Sequence, residues 1–263
     1  MEGIQDILKR SFAQSIQNSR NAPKHCEICG QALTTTIDYK GLQITVPVIC
    51  KCQKKKMQLE QLEADKRRRM QRFKKLQKIN PEIFGWIYIP DTNIDYPLLQ
   101  SNERDDFYLH SDIYRNYKYA GSLYSEYCNS TDMDDRVTLI YGHNMIDGSM
   151  FANLHKFRDA SFFNKHTKFY IYTPERRLTY QVVSAFEYDD RHIMNTFNFS
   201  EDKVFKEYLD TIQNPHSLSA NVKTTLDHKL TVKDKIVTLS TCLDAGDGRY
   251  LLQGVLVKDE PTR

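Results

Sequence analysis

Residues 236 to 252 of the chain have the sequence Ile236-Val237-Thr238-Leu239-Ser240-Thr241-Cys242-Leu243-Asp244-Ala245-Gly246-Asp247-Gly248-Arg249-Tyr250-Leu251-Leu252. Two strand-forming runs, 235–241 and 249–258, flank a loop rich in Asp and Gly, which predicts a hairpin with a long connection. Cys242 stands where the first strand ends and Arg249 where the second begins. We therefore expect a thiol and a guanidinium at one end of the same sheet. There a thiolate attacks acyl carbon and the cation holds the oxygen that becomes negative.

A histidine follows another predicted strand. The apolar run 136–141 leads directly into Gly142-His143-Asn144, so the imidazole also lies on a loop just past a strand end. A single Cys at such a place is usually a small buried hydrophobe, and a single His there is usually structural. The combination of Cys242, His143 and Arg249 instead favours acyl transfer by a thiol with a histidine partner.

Several further motifs occur in order along the chain. They are Asn80-Pro81-Glu82-Ile83-Phe84-Gly85-Trp86-Ile87-Tyr88-Ile89-Pro90, Asn93-Ile94-Asp95-Tyr96-Pro97, Asp106-Phe107-Tyr108-Leu109-His110, Gly121-Ser122-Leu123-Tyr124 and Tyr141-Gly142-His143-Asn144-Met145. Together with Thr238-Leu239-Ser240-Thr241-Cys242 and Arg249, they resemble the sortases, the cysteine transpeptidases of Gram-positive cell surfaces, and class B in particular. The resemblance covers about residues 73–263.

The resemblance implies a fold and a reaction. The fold would be an eight-stranded β-barrel. Cys242 would cleave a Thr-Gly or Thr-Asn type bond in a sorting-signal peptide through a thioacyl intermediate, with His143 as acid and base and Arg249 as the oxyanion partner. The acyl group would pass to an amine, either a cell-wall precursor or a protein lysine, without a catalytic cofactor. We expect Asn144, Ser240 and Thr241 to position the substrate.

The pattern of residues from Asn80 onward independently predicts a mainly-β domain. The expected strands are 85–89, 94–98, 121–127, 136–141, 169–173, 178–188, 235–241 and 249–258, with a turn at Thr173-Pro174-Glu175-Arg176. Helices are expected at 149–158 and, after an N-cap at Ser200, at 201–212. Eight strands with few helices favour a closed barrel, because closure removes exposed strand edges. The resemblance identifies the second helix with the insertion typical of class B.

Four cysteines near the amino end form two close pairs. Cys26 and Cys29 precede Gly30, and Cys50 and Cys52 follow about twenty residues later. Short spacers let each pair chelate, so the pattern predicts a structural Zn(Cys)₄ site, with His25 as a substitute ligand. Disulfides are the alternative. The remaining thiol outside the predicted active site, Cys128, is interpreted as a bystander.

A strongly basic segment follows these cysteines. The chain has 263 residues and a formal net charge of +3, yet residues 51–78 contain 12 Lys and Arg against 3 Asp and Glu. Any affinity for nucleic acid or a membrane surface is therefore confined to this segment. The pattern predicts a helix over 53–79 with an apolar stripe of Leu59, Leu62, Met70, Phe73 and Leu76. Residues 1 to about 70 look like the zinc region of bacterial helicase loaders, although no Gly-x-x-x-x-Gly-Lys loop follows.

We thus expect three parts: a helix and zinc-knuckle region at 1–52, a basic helical linker at 53–79 and a catalytic barrel at 80–263. Residues 1–21 have an amphipathic pattern without the apolar core of a signal peptide, and no run approaches the ~20 apolar residues of a membrane span. The sequence therefore predicts a cytoplasmic chain, whereas the resemblance implies the outer face of the membrane. Two other functions stay open: a zinc and basic-helix adaptor with an inactive barrel, and a purely hydrolytic cysteine peptidase.

Overall fold

The computed structural model describes residues 25–39, 42–217, 219–244 and 247–262. The chain divides into two units, residues 1–68 and 69–263. The division falls inside the segment expected to be a basic helical linker. The amphipathic helix expected over residues 1–21 lies outside the described residues.

The first unit contains a β-hairpin between its two cysteine pairs. Strands β1 (Thr34–Tyr39) and β2 (Leu42–Pro47) are antiparallel, with Thr34 opposite Pro47. Helix α1 then runs over Lys51–Ile79. This hairpin was not predicted from the sequence.

Residues of the apolar stripe expected on α1 are buried only near the carboxyl end of the helix. Phe73 and Leu76 are buried, whereas Leu59 and Leu62 are more than half exposed. Arg69 also lies in this last part of the helix, where its guanidinium binds both carboxylate oxygens of Asp95 at 2.9 Å. This end of the basic helix is therefore packed against the barrel.

The second unit is built from nine strands and a few short helices. The strands are β3 (Ile83–Tyr88), β4 (Asp95–Leu99), β5 (Leu123–Ser125), β6 (Val137–Tyr141), β7 (Lys168–Tyr172), β8 (Arg176–Tyr188), β9 (Ala220–Val222), β10 (Ile236–Cys242) and β11 (Arg249–Pro261). The helices are α2 (Ala160–Lys165), α3 (Ile193–Thr196) and α4 (Asp202–Gln213), with 3₁₀ turns at Phe107–His110 and Ala152–Arg158.

Eight of these strands close into a barrel. Their order is β11-β10-β6-β5-β4-β3-β7-β8, and β11 pairs again with β8 along most of its length. The short β9 adds to β8 beyond the end of β7. The predicted mainly-β fold with an eight-stranded barrel is confirmed.

Two local predictions were wrong. The segment expected to be a helix from Ser149 is a 3₁₀ turn that starts at Ala152. The N-cap of α4 is Glu201 rather than Ser200, because the Ser200 hydroxyl donates instead to Oδ1 of Asn198 at 2.7 Å. The strand β9 was not predicted.

The core holds the strands that carry the site. Inside the barrel, Leu239 of β10, Ile140 of β6 and Leu252 of β11 are fully buried in one apolar cluster. A second cluster packs Phe205 and Ile212 of α4 against the outer face of the sheet. Residues of β6, β10 and β11 are thus covered on both faces, and their ends are held in place by packing.

Candidate active site

The pairing of three strands explains how distant residues meet. Strand β10 is parallel to β6, with Ser240 opposite Tyr141, and antiparallel to β11, with Cys242 opposite Arg249. The carboxyl ends of parallel neighbours lie at one edge of a sheet. Residue 143 and residue 242, each just past this register point, therefore emerge at the same end of the barrel, next to the start of β11.

Cys242 and Arg249 are in direct contact. Nη1 of Arg249 donates to Sγ of Cys242 across 2.8 Å, and the sulfur is exposed. The guanidinium thus holds a permanent positive charge next to the sulfur. The pair is therefore an accessible sulfur with a fixed cation beside it.

His143 enters the site over a position that only glycine fits. A side chain at residue 142 would collide with Leu123 and Phe151, so Gly142 lets the chain turn closely over the core. Nε2 of His143 lies 2.9 Å from the carbonyl oxygen of Leu109. Since a carbonyl only accepts, Nε2 carries the hydrogen, and Nδ1 is the basic atom of the neutral ring.

The surroundings favour the neutral form of His143. Burial lowers its pKa, and the positive charges of His110 and Arg249 lower it further, against the opposing effect of the Leu109 carbonyl. A neutral imidazole at neutral pH is ready to accept a proton.

The three residues line one cleft of about 360 Å³. Its walls are largely apolar and include Leu109, Tyr124 and Tyr141. Ser240 and Thr241 also line it, both almost fully buried, and Oγ1 of Thr241 has no hydrogen-bond partner among the described residues. The Thr241 hydroxyl is itself buried rather than exposed to the cleft.

Asn144, expected to bind substrate, is engaged elsewhere. Its amide donates to Asp244 at 2.8 Å, and Arg158 binds the other oxygen of that carboxylate at 2.7 Å. These hydrogen bonds lower the pKa of Asp244. Asn144 therefore ties the histidine loop to the segment after the nucleophile.

His155 was missed by sequence reasoning. Its Nε2 donates to the backbone oxygen of Cys242 at 3.0 Å, and its ring stacks on Tyr250 at 4.9 Å. Burial lowers the pKa of His155, so the neutral ring holds the nucleophile's peptide group. Only its position on the segment expected to be helical was visible in the sequence.

A buried acid in the cleft was also missed. Glu126 is 4% exposed; one of its oxygens accepts from the Tyr141 hydroxyl at 2.6 Å and lies 2.8 Å from Nε2 of His192. The carboxylate raises the pKa of Tyr141, as burial does more strongly. A charged residue inside the predicted strand 121–127 was the available signal, because acids are rarely buried without partners.

The other barrel thiol has a different environment. Desolvation and the neighbouring Glu126 carboxylate raise the pKa of Cys128 to about 11. Its thiol stays protonated at neutral pH and is a poor nucleophile. Cys128 does not line the cleft that contains Cys242.

The cysteines of the first unit form a separate cluster. The sulfur atoms of Cys26, Cys29, Cys50 and Cys52 all lie within 4.8 Å of one another.

Over the described residues, no helix combines the length and apolar character that crossing a membrane requires. The expectation that the basic segment binds nucleic acid gains no support and stays a prediction.

A closed β-barrel that places a thiol, an imidazole and a guanidinium around one cleft defines a cysteine enzyme of acyl transfer. The family model described as Sortase domain matches residues 87–257. The chain belongs to the sortase family.

Its relatives are class B sortases. The chain is 38% identical to Sortase B of Listeria monocytogenes over 185 residues, which cover 69% of this chain and 72% of the relative. A crystal structure of sortase B from Bacillus anthracis in complex with AAEK1 has 38% identity and a TM-score of 0.62, covering 71% of this chain and 84% of that one. The Staphylococcus aureus sortase B–substrate complex has 28% identity and a TM-score of 0.62, covering 77% and 99%.

These findings establish the activity class. The chain is a sortase of the class B type, a cysteine transpeptidase that acts on sorting-signal peptides and amine acceptors. The adaptor with an inactive barrel and the purely hydrolytic peptidase are not favoured.

Proposed function

We propose that Cys242 captures the sorting signal, His143 moves the protons and Arg249 holds the negative oxygen. The contact of 2.8 Å between the Arg249 guanidinium and the Cys242 sulfur, in a cleft that His143 also lines, carries this proposal. A cation in contact with the attacking sulfur would also lie beside the oxygen of the carbonyl that the sulfur attacks.

The first half-reaction forms a thioester. Sγ of Cys242 attacks the carbonyl carbon, and its proton goes to Nδ1 of His143. Arg249 holds the oxyanion, for which a fixed cation in a low-dielectric cleft is worth several kcal/mol. Collapse of the intermediate breaks the C–N bond, and Nδ1 gives the proton to the departing amine.

The second half-reaction runs with the roles reversed. An incoming amine attacks the thioester carbon and gives a proton to Nδ1. The C–S bond then breaks, and Nδ1 passes this proton to Sγ, which restores the thiol and the neutral imidazole. Water in place of the amine gives the free acid, so the balance between the two depends on which nucleophile reaches the thioester.

The cleft suits an extended peptide. Apolar walls formed by Leu109, Tyr124 and Tyr141 would pack on side chains. Ser240 and Thr241, which line the same cleft, would position the substrate backbone. We assign the scissile bond to the Thr-Gly or Thr-Asn type and the acceptor to a cell-wall precursor amine or a protein lysine. Asn144 would act on the substrate only indirectly, by fixing the loop that contains Asp244.

Mass spectrometry of trapped enzyme tests the proposal. The full chain is incubated with peptides of the Leu-Pro-x-Thr-Gly and Asn-Pro-x-Thr-Asn types, with and without triglycine. We expect an acyl adduct on Cys242 in the parent, none in Cys242→Ala, and a shift from acid to amide product when triglycine is added. An adduct on another residue would overturn the assignment, and an acid product unchanged by triglycine would support hydrolysis.

A further inference from the structure

Few side chains in the described part of the first unit are buried. Among residues 25–38, 43, 45–46 and 48–68, the buried apolar side chains are Cys26, Leu33 and Cys50, with Cys52 partly buried against them. The β1 residues 34–38 are exposed. A lone two-stranded hairpin is at best marginally stable in water, and units this small usually need a metal or disulfides. The four cysteines of this unit can supply either kind of cross-link.

The local backbone structure brings all four sulfur atoms close together. The first pair lies on a tight turn, where Gly30 donates to the Cys26 carbonyl at 2.8 Å and has a φ of +67°, a conformation that favours glycine. The second pair flanks the start of α1, where the backbone N–H of Gln53 donates to Sγ of Cys50 at 3.4 Å. The hairpin between them returns the chain, so the two pairs face each other.

The spacing of the sulfurs fits one tetrahedral ion. All four lie within 4.8 Å of one another, and four sulfurs at ~2.3 Å from a central Zn²⁺ are about 3.8 Å apart. His25, the substitute ligand considered from the sequence, is exposed and does not belong to this cluster.

We propose that Cys26, Cys29, Cys50 and Cys52 bind one structural Zn²⁺ that folds the first unit and takes no part in transpeptidation. Binding converts four thiols to thiolates and releases four protons without any redox change. The resulting tetrathiolate has no open position for a substrate, as in other closed structural sites. Two disulfides would use the same sulfurs and are the competing arrangement.

Metal analysis of the full chain tests the proposal. We expect about one zinc per purified chain, and a loss of that zinc in Cys26→Ser and Cys50→Ser. Cys128→Ser removes a thiol outside the cluster and is the matched control, which should keep its zinc. Zinc content that is negligible in the parent, or unchanged in the cluster variants, would overturn the site.

A second measurement does not depend on the variants folding. Replacement of the metal in the parent by Co²⁺ should give the visible bands and sulfur-to-cobalt charge-transfer absorption of a tetrahedral tetrathiolate. Iron in place of zinc would overturn the assignment of the metal. An intact mass reduced by the hydrogens lost on disulfide formation would overturn metal binding itself. Transpeptidation by Cys26→Ser at the parental rate separates this proposal from the one for the barrel.

Discussion

The two units use cysteine in opposite ways. In the barrel, a large apolar core fixes β10 and β11, and this scaffold delivers one exposed sulfur, Cys242, to a cleft. In the described part of the first unit, the small buried cluster consists of Cys26, Leu33 and Cys50, with Cys52 packed against it. In the barrel, the apolar core positions a reactive thiol; in the first unit, the proposed role of the thiols is to stabilise the fold.

The largest effect is expected from Cys242→Ala. Loss of the nucleophile should lower transfer of a sorting peptide to triglycine by at least about 10⁴-fold. Zinc content and the unfolding midpoint should stay at parental values, because the sulfur supports nothing in the core. Product chromatography and metal analysis of one preparation measure both, with Cys128→Ala as the control that keeps activity. Residual covalent capture of the peptide by the variant would show that Cys242 is not the nucleophile.

Arg249→Met should come next, with kcat/KM about 10³-fold lower, or ~4 kcal/mol of transition-state stabilisation. The methionine keeps the bulk and removes the charge beside Sγ. Arg249→Lys restores the charge without the planar fork and should recover part of the loss. Steady-state kinetics measure this effect. A kcat/KM of Arg249→Met within tenfold of the parental value would show that the guanidinium does not take part in the mechanism.

Core truncation should distinguish the two units by stability. Leu239→Ala in β10 leaves a cavity in a fully buried position and should lower the free energy of unfolding of the barrel by about 3 kcal/mol. Leu33→Ala in the first unit should leave that transition unchanged. Urea titration followed by fluorescence reports it, because the chain's one tryptophan, Trp86, is buried in the barrel unit. Equal shifts in both variants would show that the units do not unfold separately.

The smallest effects concern the pKa of His143. Removing the cation in Arg249→Met, or the neighbouring ring charge in His110→Gln, should raise that pKa, since both charges lower it. Arg249→Lys keeps the charge and should leave the pKa low. NMR titration of the imidazole nitrogens measures the change. An unchanged pKa of His143 in both neutralising variants would show that these charges do not affect it.

The lowered pKa of His143 and that of His155 also contribute to the pH dependence of the barrel's stability. His143 and His155 both have a pKa below the ordinary 6.5 when folded, so the unfolded chain takes up protons first as the pH falls. Their contribution to stability is complete above pH 6.5 and is lost as the pH falls toward the folded pKa values. Urea midpoints between about pH 8 and about pH 5 should decline in that direction, less so in His155→Gln.

Most of the barrel was predictable because its strands alternate around an apolar core. The strand that ends at Cys242 and the strand that begins at Arg249 follow directly from composition and turn residues. The β1–β2 hairpin was not predicted, since exposed strands such as β1 show no buried periodicity. The short strand β9 makes three residue pairs with β8, and so few residues give no periodic signal.

Parts of the site were beyond sequence patterns for a different reason. The partner of His143 is a backbone carbonyl, that of Leu109, and every residue has one. Glu126 contacts His192, which is distant in the sequence and comes near it only in the folded barrel. Asn144 was expected on the substrate because its bond to Asp244, 100 positions away, cannot be inferred from local spacing.

Cys242 and Arg249 form the last cross-strand pair before their connecting loop. The ladder, rather than the loop, therefore sets the distance between sulfur and guanidinium. Residues inserted into the connection between Cys242 and Arg249 would change the loop that joins the two strands while the reacting pair stayed in place. Such a connection is a natural place for diversification: substrate preference would change there by lengthening or shortening the chain, without rebuilding the catalytic chemistry.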